Sequence, residues 1–181
     1  MAGVWVTQGP DPRDGEQPVG EKATYADYLR IYRHTLALKC EELTPQQLAT
    51  RSVPPSPMSL LGLVRHLASV EQFWFAQVGL GLGEPQPFRD AEVADLDFDG
   101  AEPTDACVAE AFDRWRAEIS RAEEWLAQVP ESELGRELVI RRRGGELVTI
   151  RDLLVHMIEE YARHCGHADL LREAIDGRTG Q

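Results

Sequence analysis

Nowhere in the 181 residues does an uninterrupted apolar run reach about 18, the length a membrane-spanning helix requires, so none is expected. Cysteine is scarce. Cys40, Cys107 and Cys165 are odd in number and far apart, with no C-x-x-C pair. That pattern argues against a disulfide framework and fits a reducing cytoplasm best. Positive charge is also short, with 19 basic against 31 acidic residues and a formal net charge of -12. Such a balance argues against nucleic acid or an anionic membrane as the main partner. Among the basic residues only Lys22 and Lys39 are lysines. The amino-terminal stretch has neither an apolar core nor a basic start, so a signal peptide is not expected.

What is present reads as an ordinary globular chain, with 43% hydrophobic and 28% charged residues. Its length suits one domain with a core of its own. Residues 1–20 carry proline and glycine without periodicity and are expected to form an arm, leaving 21–181 as a single domain. Four segments repeat apolar residues at helical spacing. The first places Tyr25, Tyr28, Leu29, Tyr32, Leu36 and Leu43 at such steps. The second opens at Ser59, a plausible N-cap, and runs through Leu60, Leu63, Leu67, Val70 and Trp74 to Gly79. An acidic, proline-containing crossover from Glu84 to Asp105 follows. The third helix carries Val108, Phe112, Trp115, Ile119 and Trp125 and stops at Pro130. Apolar and polar residues then alternate around Gly144 and Gly145, as in a short hairpin or extended loop. Thr149 and Asp152 form a weakened capping box that opens the fourth helix, which ends at Gly177. The expected fold is all-α, a four-helix bundle with a long crossover after the second helix and a hairpin or extended loop before the fourth.

The fourth helix holds the chemistry. Residues four apart on an α-helix differ by only about 40° around its axis. His156, Glu160 and His164 are spaced four and four, and His167 follows three later, so all share one stripe beside the apolar stripe of Leu153, Met157 and Tyr161. Glu160 and His164 can reach one cation, and an imidazole with a carboxylate suits zinc, nickel or iron(II). A third ligand must come from another helix. His66, among Leu63, Leu67 and Val70, is the leading candidate, with His34 on the first helix in reserve. Spacing alone leaves a plainer reading open, in which His66 is a satisfied core residue and the Glu160–His164 pair a surface contact.

The stretches "MSLLGLVRHLASVEQFWF" and "LLVHMIEEYARHCGHADLLREAIDGRTGQ" resemble the DinB-like superfamily. The resemblance is to its uncharacterised actinobacterial branch, related to the metal-binding domain of mycothiol-dependent maleylpyruvate isomerase, and it runs from about residue 21 to the carboxyl end. It implies a divalent metal, zinc first with nickel or iron(II) as alternatives, held by His66, Glu160 and His164. His167 stands where the family usually has glutamine, and is expected to orient a ligand, bind water or contact substrate.

The resemblance further implies a thiol-dependent S-transferase or isomerase that activates a mycothiol-like thiol against a small electrophile. Two other readings remain. One is a bundle that binds metal or a small ligand without turnover, in a stress-related or regulatory role. The other is a bundle with structural histidines that acts through its surfaces, as a homodimer. Cys165 lies about 100° around the helix from His164 and should point away from the metal. Trp74, Trp115 and Trp125 are expected in the core, with Trp74 the one placed to line a pocket. The basic run Arg141, Arg142 and Arg143 is expected to be a solvated loop or, through Arg141 and Arg143, a contact for an anionic substrate or thiol.

Overall fold

The computed structural model describes residues 10–141 and 144–180. Arg142 and Arg143 therefore lie outside the described residues. Helix α1 spans Glu21–Cys40 and is followed by the single turn α2, Pro45–Leu48, which a Thr44–Gln47 capping box opens. Helix α3, Leu60–Glu71, starts where the Ser59 hydroxyl accepts the Gly62 amide at 3.1 Å. Helix α5 spans Asp105–Gln128 behind a Thr104 cap. Strands β1, Glu137–Ile140, and β2, Glu146–Thr149, pair antiparallel as the alternation implied. They feed α6, Ile150–Asp176, through the Thr149–Asp152 capping box, and Gly177 ends α6 at a φ of 77° that only glycine adopts without strain. α1 packs on α6 and α3 on α5, while α3 also meets α6 and α1. The result is the all-α bundle expected, with the long crossover and the hairpin in their expected places. No helix among the described residues is long and apolar enough to cross a membrane.

Two features depart from the sequence reading. The second helix is not α-helical throughout: Gln72–Gly79 is a π-helix, in which the Leu80 amide reaches back five residues to the Phe75 carbonyl at 2.9 Å. The crossover is not merely a surface link either. Its residues Leu96–Asp99 form a helical turn, α4, that packs on α3. Gly62 permits this approach, because a Cβ there would stand 2.9 Å from the Phe98 ring and 3.3 Å from the Phe98 backbone. The buried guanidinium of Arg65 fixes the turn, donating to the carbonyls of Asp97 at 2.9 Å and Leu96 at 3.2 Å.

A buried polar chain ties the four long helices together. Arg33 of α1 makes two 2.9 Å contacts to Glu71 at the end of α3. Tyr161 of α6 donates to the same carboxylate at 2.6 Å and accepts the Trp115 indole N–H of α5 at 2.8 Å. Glu71 and Tyr161 are completely enclosed, so each of these groups depends on its partners to offset lost hydration. The chain enters α6 at Tyr161, next to Glu160.

Candidate metal centre

Helix periodicity puts Glu160 and His164 one turn apart on α6, and the packing of α3 against α6 brings His66 opposite them. Each of the three offers a ligand atom, and these atoms all lie within 4.8 Å of one another. The His66 and His164 rings are 4.7 Å apart between centroids. His164 Nε2 lies 3.4 Å from Glu160 Oε2. Donor atoms sharing one ion at bonds of about 2.0–2.1 Å sit roughly 3–4 Å apart, so this pair already has ligand spacing. His34 is not part of the group; its charged neighbours are Arg30, Glu123 and Asp11.

Each imidazole is oriented from behind. His66 Nδ1 lies 2.8 Å from Asp97 Oδ2, and its ring stacks on Phe98 with centroids 5.3 Å apart. Asp97 also receives Arg89 Nη2 at 3.2 Å. A proton on His66 Nδ1 satisfies the shorter contact and leaves Nε2 free as the donor that a metal needs. His164 Nδ1 faces His167 Nδ1 at 3.3 Å, which leaves its Nε2 toward Glu160. His167 thus stands behind the His164 ring, on the side away from Glu160. His156 Nε2 stands 3.7 Å from Glu160 Oε1, and its ring rests on Trp74 with centroids 4.6 Å apart.

Charge follows the same pattern. The hydrogen bond with His164 holds the Glu160 carboxyl below its ordinary value, against the opposing effect of burial. Burial also opposes charge on Asp97, yet His66 and Arg89 outweigh it and keep that carboxyl low. Both groups therefore remain anionic at neutral pH. Burial, followed by the nearby charge of His164, pushes His167 down.

A cavity of about 380 Å³ opens over His66 and Glu160, with Trp74, His156 and Arg89 among its walls. Trp74 is thus both a core residue and a pocket wall. Arg141 is exposed and lines an adjoining groove, away from the triad. Cys165 turns its thiol to the Tyr32 carbonyl of α1 at 3.5 Å, away from the cluster. Burial pushes the thiols of Cys165 and Cys40 up to about 12, leaving both protonated and inert.

Sequence reasoning missed Asp97 and Arg89. A carboxylate within reach of a metal-facing histidine is the signal to look for, but Asp97 is 31 residues from His66 and sits among Asp95 and Asp99, which look the same.

A family model described as Mycothiol-S-transferase matches residues 24–177. A solved structure from Enterococcus faecalis, described as a conserved protein, superimposes with a TM-score of 0.61 at 18% identity, covering 88% of this chain and 99% of that one. At that identity the likeness shows a shared fold. No curated protein matches the chain.

Proposed function

The chain belongs to the mycothiol-S-transferase family of DinB-like bundles, and from that premise we propose that it is a metal-dependent enzyme transferring a small thiol to an electrophile. His66, Glu160 and His164 hold a divalent cation, zinc in first place. The observation that carries the reading is the convergence of these three donors beneath an open cavity. Three protein ligands leave at least one coordination position for substrate, as catalytic rather than structural sites do. The cation, when bound, lowers the pKa of a coordinating thiol so that a thiolate forms at neutral pH.

The chain's own residues do the rest. Asp97 fixes the tautomer and direction of His66, and His167 does the same for His164. Glu160 supplies the negative charge that keeps the site attractive to a dication. His156, the cavity-wall imidazole outside the ligand set, accepts the thiol proton at Nε2. Trp74 and Phe73 cover the cavity wall and limit water around the sulfur. Three free cysteines suit a reducing compartment, and we place the reaction in the cytoplasm.

The test is thiol transfer to an electrophilic dye with mycothiol and a panel of other cellular thiols, with and without metal. A metal-dependent rate that is highest with mycothiol supports the proposal. A metal-loaded chain with no rate above background for any thiol would leave a non-catalytic binding bundle as the better account.

A further inference from the structure

Two cavities meet at Arg89. One is the 380 Å³ space over His66 and Glu160; the other, about 460 Å³, runs outward to Arg141. Phe73, Gln86 and Arg89 line both, so they form one groove with the triad at its inner end. Its size is ordinary for a small-molecule site.

The outer groove contains two acids and two arginines, and each acid already has a partner of its own. Glu84 is paired with Arg121 at 2.6 Å. Asp90 Oδ1 accepts the backbone amides of Glu92 at 2.7 Å and Val93 at 3.2 Å. Arg141, by contrast, has no hydrogen bond or ion pair among the described residues. Arg89 commits only its Nη2, to Asp97 at 3.2 Å and beside His66 Nδ1 at 3.3 Å, and its remaining donors have no partner among them. Two guanidinium groups with spare, forked N–H donors thus face a groove in which Glu84 already has its own cation and Asp90 is held by backbone amides. On a chain with net charge -12, a groove whose two acids are balanced by two arginines is less negative than the molecule as a whole.

We propose that this groove binds an anionic acceptor, a small electrophile bearing a carboxylate that Arg141 and Arg89 pair with, while its reactive carbon lies at the triad end. In the transfer, sulfur forms a bond to that carbon and the leaving group departs with the bonding pair, the thiol proton having gone to His156. Arg89 is also where acceptor and metal site meet, because it holds the carboxylate that orients His66. Calling the anion the acceptor rests on the thiol-transfer reading above, whereas the binding of the anion does not.

The test separates the two. Titration calorimetry compares 4-nitrobenzoate with 4-nitrobenzamide, which match in shape and differ in charge, on metal-loaded and chelator-treated protein. The acid should bind about tenfold more tightly than the amide in both forms, and Arg141→Gln, an exposed substitution, should remove most of that preference. Equal binding of acid and amide, a preference that Arg141→Gln leaves intact, or one that vanishes with the metal would overturn the proposal. In parallel, mycothiol is alkylated with chloroacetate and chloroacetamide. Faster enzymatic turnover of the acid, lost in Arg141→Gln while the amide rate is kept, supports the acceptor assignment, and equal loss for both overturns it. No turnover with either, alongside the calorimetric preference, would sink the transferase reading and leave the anion site standing.

Discussion

Asp97 Oδ2 lies 2.8 Å from His66 Nδ1, so a carboxylate delivered by the crossover orients an imidazole on α3. Asp97 is only 1% exposed, and its place depends on the turn α4 docking over Gly62. Outer partners of this kind raise ligand basicity and fix ring direction. Asp97→Asn is expected to weaken metal binding about 10- to 100-fold. Competition against a chromophoric chelator reads the affinity, and circular dichroism should show helicity unchanged. Wild-type affinity in the variant would mean that the contact does not tune the site.

The Arg33–Glu71–Tyr161–Trp115 chain should govern stability more than binding. Glu71→Gln removes the buried counter-charge of Arg33 and leaves it only the exposed Glu123 carboxylate at 3.4 Å, and is expected to cost about 3 kcal/mol. Tyr161→Phe strands the Trp115 N–H and removes one donor to Glu71, costing about 1–3 kcal/mol. Urea denaturation of the metal-free proteins measures both, and the order of the two losses is the part that matters.

Acid sensitivity has a contributor far from the triad. Burial opposes charge on Asp176, but the Arg172 guanidinium at 3.0 Å and the Arg178 amide at 3.1 Å outweigh it and hold the carboxyl below its ordinary 3.8. A depressed carboxyl contributes stability above its unfolded value and loses it as pH falls through the folded one. Melting temperature between about pH 5 and about pH 2.5 should therefore fall more steeply for wild type than for Asp176→Asn. Parallel curves would remove Asp176 from the account.

The three cysteines should differ sharply in reactivity. Cys107, half-buried near Arg65 and the Gly100 carbonyl, is expected to take up iodoacetamide first. Cys40 and Cys165, with thiols near 12, should label only on unfolding. Mass spectrometry of the native protein over time reads the order. Cys165→Ala should retain metal and thiol transfer, and loss of either would place that thiol in the mechanism.

The parts of this structure written in local periodicity were legible in the sequence. Glu160 and His164 sit at i and i+4, Thr149 and Asp152 form their cap, and Ser59 and Gly177 mark helix ends with side-chain or backbone chemistry that residue type alone announces. His66 was legible because an imidazole interrupts an apolar face. What escaped depends on contacts between distant segments. Asp97 and Arg89 look like any charged residues of a loop until α4 docks. Arg33 and Glu71 read as helix-surface charges, because only the packing of α1 against α3 shows that they bury each other. The π-helix at Gln72–Gly79 has no residue signature, since its amphipathic pattern resembles an α-helix over two turns.

The account stands on one shared ion, and elemental analysis of the protein purified without a histidine tag tests it most directly. After reconstitution the wild type should carry about one equivalent of a divalent transition metal, and His66→Ala almost none, with helicity preserved in both. Less than about a tenth of an equivalent in the wild type, or full retention in His66→Ala, would contradict the metal centre.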